Sequence, residues 1–250
     1  MTLKNNSDMV VVVAQAIKTH FWKEIYTTLH KEGVPFHLVF VGHNRPSFKL
    51  PANFTYIYCS LQASTCAEIA YRYAYAHLKE AKYIVNIADD LFIPDNFLSD
   101  TTKFYERCKK EHKNDLLLVG PLCLTSSGME NLIATHPGGP TLLGAAFTTV
   151  ETSKKIGGID KRFNGVFWDC DRMLRVHESG GTIIYASDKE INPTREVEHT
   201  PGLYVRHKNH DRVLLDGLWS YDDRGTDTVS CSALSKDDAE HEKRINIKRT

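Results

Sequence analysis

Two adjacent carboxylates, Asp89 and Asp90, follow an apolar run that ends at Ala88. This run predicts a buried strand over 81–88, and Pro94 follows where a helix can begin. Neighbouring anions at the carboxyl edge of a strand repel each other unless a cation lies between them, and open α/β sheets bind ligands at that edge. We therefore expect Mg²⁺ or Mn²⁺ here, carrying a phosphorylated substrate. The alternative is that one or both carboxylates cap the next helix or face solvent.

A third carboxylate, Asp169, stands at the start of a predicted helix over 169–178. The helix dipole stabilises an anion in that position. Asp is also a common helix cap, and Asp171 fits the first turn of the same helix. From the local pattern alone, capping is therefore the favoured role of Asp169.

Positive charge is concentrated over 205–212, which contains His207, Lys208, His210 and Arg212. A flexible loop of this composition can close over a ligand and neutralise a diphosphate. The alternative is a solvated basic loop without a ligand. Both interpretations predict a loop.

Apolar periodicity predicts alternating strands and helices through the first half of the chain. The β-branched run over 9–13 suits a central strand, and the segment 21–31 has helical spacing and stops at Gly33, a good helix terminator. Further strands are predicted over 36–41, 54–58 and 81–88, and further helices over 66–79 and 94–110. This order is typical of an α/β protein with a doubly wound, mostly parallel sheet flanked by helices.

The second half is less regular. Strands are predicted over 115–119, 141–148 and 182–186, helices over 151–155 and 169–178, and a final helix from Ser235 to about 244. Without repeats or an obvious linker, we interpret residues 1–250 as one domain. Its parts are a nucleotide-binding half over 9–120, a variable half over 121–220, and a C-terminal extension over 221–250.

Composition narrows the class of protein. The 250 residues carry 31 Lys and Arg against 31 Asp and Glu, so a protein that mainly coats nucleic acid is not expected. The six cysteines are dispersed without a Cys-x-x-Cys pair, which favours free thiols in a reducing compartment. The start of the chain is a poor secretory signal, and no apolar run is long enough for a membrane span. We expect a soluble cytoplasmic protein.

Three segments in order resemble the family 2-like glycosyltransferases of the GT-A fold. They are the strand ending in Asp89-Asp90, the turn Gly157-Gly158-Ile159-Asp160 with the helix start at Trp168-Asp169, and the later His199. Relatives show an Asp-x-Asp motif, a Gly-Gly-Phe-Asp-Glu turn, a Glu-Asp pair and often a metal-binding His in these places. The resemblance covers about 9–219. Trp168 stands where the family has Glu, so the chain resembles a divergent member.

The resemblance implies a GT-A-like enzyme that transfers a sugar from a nucleotide-diphosphate donor, with a UDP-sugar favoured, to an acceptor hydroxyl with inversion. It implies 121–220 as the acceptor and catalytic half, with Asp169 as the general base in place of the capping role. Asp89 and Asp90 would hold the divalent metal, with His199 as a third ligand. The acceptor is a glycan, a protein, a small molecule or a hydroxymethylated DNA base.

Further binding residues follow from the same resemblance. The implied donor contacts are Gln15, Ala16, Asn44, Arg72, Ala88, Asp89, His207 and His210. Gly144, Trp168 and Trp219 are the implied acceptor contacts. For the two tryptophans the alternative is a place in the core, and for Arg72 it is the surface of an amphipathic helix.

Two functions from other classes stay open. A metal-dependent phosphoesterase or nuclease would also use paired carboxylates with a His-rich segment. A non-catalytic sugar-nucleotide-binding module would keep the fold and lose the chemistry, and the departures at Trp168 and Ala88 leave room for it. Release of phosphate or cutting of DNA without a sugar nucleotide would favour the first.

Overall fold

The computed structural model describes residues 8–124, 145–197 and 201–221, with short backbone pieces at 130–131, 134–136, 139–141 and 229–231. The helices are α1 Trp22–Lys31, α2 Ala63–His77, α3 Phe97–His112, α4 Val150–Ile156, α5 Trp168–Glu178 and α6 Pro201–Leu218. The strands are β1 Val10–Gln15, β2 Phe36–Gly42, β3 Phe54–Tyr58, β4 Tyr83–Asn86, β5 Leu91–Phe92, β6 Leu117–Gly120, β7 Cys123–Leu124, β8 Glu130–Asn131, β9 Ala134–His136, β10 Gly139–Thr141, β11 Phe147–Thr149, β12 Thr182–Tyr185, β13 Thr194–Glu196, β14 Trp219–Tyr221 and β15 Val229–Cys231. Within the described residues no helix is both long and apolar enough to cross a membrane.

A seven-stranded sheet forms the centre, in the order β12-β6-β11-β4-β1-β2-β3. Strand β11 runs antiparallel to both of its neighbours, and the other pairings are parallel. The predicted α/β class, with a mostly parallel sheet between helices, is therefore confirmed.

Strand β1 shows why the sheet is buried on both faces. Val10 and Val12 pack with α1 and α3 on one face, and Val11 and Val13 pack with α2 and α5 on the other. All four valines are fully buried. A strand covered on both faces carries an unbroken apolar run rather than an alternating one, as this segment does.

The order of the strands reverses at β1. The chain proceeds from β1 outward through β2 and β3, and then returns to place β4 on the other side of β1. A crevice opens at the carboxyl ends of two strands at such a reversal, and open α/β sheets bind their ligands there. Residues 15–18 and 87–90 follow these two strand ends, so the fold brings them to this crevice.

The prediction for 94–110 places the start of that helix too early. Helix α3 begins at Phe97, because Leu91–Phe92 first forms the short strand β5 against β13. Asn96, the residue immediately before the helix, has a φ of 62°, so the chain turns sharply into α3.

The prediction of a loop over 205–212 is wrong, because α6 spans this segment. Asp211, Leu215 and Leu218 are buried at intervals of four and three residues, which is helical spacing. The predicted helix from Ser235 lies outside the described residues.

Candidate functional site

Asp89 fastens the end of β4 to the loop between β1 and α1. Its Oδ2 accepts hydrogen bonds from the backbone amides of Ile17, at 2.6 Å, and Lys18, and from the indole Nε1 of Trp22, at 2.8 Å. The residue is only 5% exposed. Burial raises the pKa of Asp89, and the hydrogen bonds from Trp22 and Lys18 oppose that shift. This carboxylate oxygen is already engaged by three protein donors.

Asp90 pairs with a cation from the chain itself. Its Oδ2 lies 2.7 Å from the Nζ of Lys18, and the two side chains are 17% and 10% exposed respectively. The ammonium therefore lies where the sequence predicts a divalent ion. Across the described ranges, no three His, Cys, Asp or Glu side chains are grouped to hold a metal.

Several predicted donor residues meet beside this pair. The amide of Ala16 donates to the carbonyl of Val41 at 2.8 Å, which ties the end of β1 to the end of β2. Asn44 donates through Nδ2 to the carbonyl of Ile17 at 2.6 Å. Gln15 ends β1, and its Oε1 is buried without a hydrogen-bond partner in the described structure. With Ala88 ahead of Asp89, these residues lie at or just past the carboxyl ends of β1, β2 and β4.

Asp169 lies at the same edge of the sheet. Helix α5 leads into β12, which runs parallel to β6, so the helix starts at the carboxyl edge and ends at the amino edge. The Oδ1 of Asp169 accepts a hydrogen bond from the amide of Cys170 at 2.9 Å. Burial raises the pKa of Asp169. A raised pKa makes the carboxylate a stronger base, which suits proton abstraction from a hydroxyl.

The loop before Asp169 is held by Asp211 of α6. One oxygen, Oδ1, accepts from the amide of Asn164 at 2.9 Å, and Oδ2 accepts from those of Gly165, at 2.8 Å, and Val166, at 2.9 Å. Asp211 is fully buried. Burial alone would raise its pKa, but hydrogen bonds, led by those from Asn164 and Val166, outweigh it and lower the pKa of Asp211. The charged carboxylate of Asp211 on α6 therefore holds the loop 164–166, which leads into α5.

A second anchor comes from α2. The Oε2 of Glu68 accepts from the amide of Ile159 at 2.7 Å, and its Oε1 binds the Nε of Arg72. The Oγ of Ser64 donates to the carbonyl of Phe163. The turn that follows Gly157-Gly158 is thus tied to α2.

Arg72 lies away from the crevice. It is exposed on α2, nine residues past Ala63 and so about 13 Å along the helix axis from the helix start. Arg72 forms an ion pair with Glu68, and Glu68 accepts a hydrogen bond from the amide of Ile159. Arg72 therefore supports the turn at Ile159. The structure does not bring it to the predicted donor contact.

Both predicted sugar-stacking tryptophans lie in the core, which corrects the acceptor assignment. Trp168 is 4% exposed and Trp219 is 1% exposed. The Nε1 of Trp219 donates to the Oδ1 of Asp171 at 2.9 Å, and Arg175 binds the other oxygen of that carboxylate at 3.1 Å. Through these contacts the indole of Trp219 holds α5 in place.

The two predicted donor histidines lie on α6 and contact the loop that Asp211 holds. The imidazole of His207 packs against Gly165, where an added Cβ would lie 3.0 Å from the ring. The Nδ1 of His210 lies 2.8 Å from Asp211 and 3.1 Å from Asn164. They belong to a helix rather than to a closing loop. The predicted ligand His199 and the predicted acceptor contact Gly144 lie outside the described residues.

The described structure also places a neighbour of His199. The amide of Val197 donates to the carbonyl of Asp90 at 2.9 Å, continuing the pairing of β13 with β5. The chain therefore passes directly beside the carboxylate pair two positions before His199.

Three residues at the site escaped the sequence interpretation, namely Lys18, Trp22 and Asp211. Lys18 had a usable signal, because a lysine three residues past β1 faces the same crevice as the carboxylates that follow β4. Trp22 and Asp211 had none, since an aromatic residue in an amphipathic helix and an Asp beside histidines are both common patterns.

The comparisons with known proteins add little. No family model and no curated protein matches the sequence. Among solved structures, the chain is similar to a mutant of Drosophila β-1,4-galactosyltransferase 7 in complex with manganese, UDP-Gal and xylobiose. The two share 14% identity over 77% of this chain and 71% of that chain, with a TM-score of 0.49. A likeness this distant carries no argument about function.

Proposed function

We propose that this chain is a GT-A-type glycosyltransferase that moves a sugar from a nucleotide-diphosphate donor to an acceptor hydroxyl. The observation that carries the proposal is the pairing of Lys18 with Asp90 at the reversal of strand order, with Asp169 at the same edge of the sheet. A diphosphate needs positive charge and an acceptor hydroxyl needs a base. In this proposal Lys18 supplies the charge and Asp169 the base, and distant segments of the chain bring the two to one edge of the sheet.

The donor nucleotide would enter beside the end of β1. Gln15 offers a buried oxygen without a partner among the described residues, and such an atom is costly unless another group satisfies it. Past the end of β2, a groove of about 500 Å³ is lined by Arg45, Pro46, Phe48, Leu50, Tyr56 and Tyr58. Aromatic walls of this kind can stack on a planar base. A UDP-sugar is our favoured donor.

Transfer would proceed by direct displacement. The carboxylate of Asp169 takes the proton of the acceptor hydroxyl, and the resulting nucleophilic oxygen attacks the anomeric carbon opposite the diphosphate. The new bond forms between that carbon and the acceptor oxygen, and the bond to the phosphate oxygen breaks, so the configuration inverts. Positive charge at Lys18 stabilises the negative charge that develops on the leaving diphosphate.

The predicted divalent metal fits these residues poorly. Three N–H donors occupy one oxygen of Asp89, and Lys18 occupies one oxygen of Asp90. The third predicted ligand, His199, lies outside the described residues. The proposed steps therefore use only groups of the chain.

A panel of nucleotide sugars tests the proposal. Each is incubated with purified protein and a mixture of glycan, peptide and hydroxymethylated-DNA acceptors, and free nucleotide is measured. We expect one class of donor to release nucleotide and to raise the melting temperature, since a ligand that binds only the folded state stabilises it. Nucleotide binding without release under all acceptor conditions would favour the binding module. Phosphate release or DNA cleavage without a donor would favour the phosphoesterase.

A further inference from the structure

The ammonium of Lys18 is paired with the carboxylate that a divalent ion at this place would need. The Nζ lies 2.7 Å from the Oδ2 of Asp90, and both side chains are largely withdrawn from water. A divalent ion bound to Asp90 would sit close to that ammonium, and the two cations would repel each other strongly in a partly buried site. Occupation of Asp90 by Lys18 therefore opposes occupation by a metal.

The position of Lys18 is fixed from several directions. Its backbone amide donates to Asp89, which also receives the amide of Ile17 and the indole of Trp22. Asn44 holds the carbonyl of Ile17 from the β2 side. The lysine thus stands on a loop that two neighbouring strand ends hold in place, which is how a rigid phosphate-binding charge is built.

We infer that Lys18, in place of a divalent metal, is the cation that binds the donor diphosphate, with Asp90 as the residue that positions it. An ammonium carries three N–H donors and so can serve a carboxylate and a phosphate oxygen together. The inference rests on the proposed function. It adds that donor binding and transfer do not require Mg²⁺ or Mn²⁺.

The binding of UDP tests this inference without an acceptor. Calorimetry is performed on metal-stripped protein in EDTA, in MgCl₂ and in MnCl₂. For the unaltered chain we expect dissociation constants that agree within about twofold across the three buffers, because the charge is supplied by the protein. In EDTA, Lys18→Gln should weaken binding by more than about tenfold, since a single charge-assisted contact is worth at least that factor.

The variant should also gain a response to metal. With the ammonium removed, Asp90 is released for coordination, so MnCl₂ should restore part of the binding to Lys18→Gln. Lys18→Arg, which keeps the charge, should bind UDP in EDTA within a few-fold of the unaltered chain. Lys23→Gln, on the exposed face of α1, is the matched control and should leave binding unchanged.

The outcomes separate this inference from the proposed function. Binding of UDP by the unaltered chain only with metal, together with unchanged binding by Lys18→Gln, would overturn the role of Lys18 and leave a glycosyltransferase. Failure of UDP and of every sugar nucleotide in the donor panel to bind under any condition would overturn the proposed function itself. If Lys18→Gln does not fold, the unaltered chain in EDTA still decides whether a metal is needed.

Discussion

The Cα of Gly42 approaches the carbonyl oxygen of Ala16 so closely that a Cβ on residue 42 would lie 1.7 Å from that oxygen. Only a residue without a side chain fits here. The contact sets the distance between the ends of β1 and β2, and the loop that carries Lys18 continues from this point.

Gly42→Ala should therefore destabilise the fold by about 3 kcal/mol, because the clash is with backbone and cannot be relieved by a rotamer change. Gly180→Ala is the control: Gly180 has a φ of +73° but open space around it, so only backbone strain of about 1 kcal/mol is expected. Urea unfolding measures both. Equal losses for the two variants would mean that β1 and β2 adjust to the methyl group.

Asp169→Asn should keep the fold and nucleotide binding and lower the rate of transfer by about 10² to 10⁴, the usual contribution of a general base. In the unaltered chain the rate should fall as the pH drops through the pKa of Asp169, which burial raises above its ordinary 3.8. Initial rates with the donor from the panel provide the measurement. Asp188→Asn, an exposed carboxylate elsewhere, should leave both properties unchanged. Full activity in Asp169→Asn would remove this residue from the mechanism.

Asp211→Ala should cost about 3 kcal/mol of stability, because three backbone amides lose a charged acceptor in a buried place. Transfer should fall more than nucleotide binding, since the loop positions Asp169 rather than the donor. His210→Ala leaves the three amide contacts intact and should cost less than about 1 kcal/mol. Thermal unfolding and initial rates distinguish the two variants. Similar effects from both would show that the amide contacts contribute little.

Glu32 should make stability depend on pH. Its Oε2 accepts from the amides of Leu98 and Ser99 at 2.9 and 3.1 Å, yet burial raises its pKa from 4.5 to about 7. Because the folded state holds this proton more tightly, stability should decline as the pH rises from 4.5 to 7 and then level off.

Glu32→Gln removes that decline. Relative to the unaltered chain it should gain about 1 to 2 kcal/mol across this window, after allowance for solvent screening of a half-buried group. Chemical unfolding at a series of pH values measures the difference, with Glu24→Gln on the exposed face of α1 as the control. A constant difference between pH 4 and 8 would contradict the assignment.

The local sequence pattern was sufficient to predict an element where one feature, such as an unbroken apolar run or regular helical spacing, dominated the segment. The valine run of β1 and the spacing of α1 predicted their elements to within a few residues, and the carboxylates after β4 were correctly placed at a strand end. Helix α6 was missed because its buried stripe, 211, 215 and 218, begins with an aspartate and follows a run of basic and polar residues over 206–210. Hydrophobic periodicity does not register a charged residue that is buried by hydrogen bonding.

The contacts within the site were harder to predict for a different reason. Lys18 and Asp90 are 72 positions apart, and their pairing depends on β1 and β4 being neighbours in the sheet. The same holds for Asp211 and the amides of 164–166. Such pairs follow from the order of the strands in the sheet. The pattern of elements predicted the α/β class but not that order.

The dependence of the 164–166 loop on Asp211 also limits how far the chain can be shortened. A fragment ending between residues 180 and 210 would retain Lys18, Asp90 and Asp169, and a comparison of motifs would judge it complete. It would nevertheless lack Asp211, whose carboxylate accepts hydrogen bonds from all three amides of 164–166. We therefore expect the C-terminal limit of a well-folded fragment to be set by Asp211, a residue with no part in the proposed chemistry.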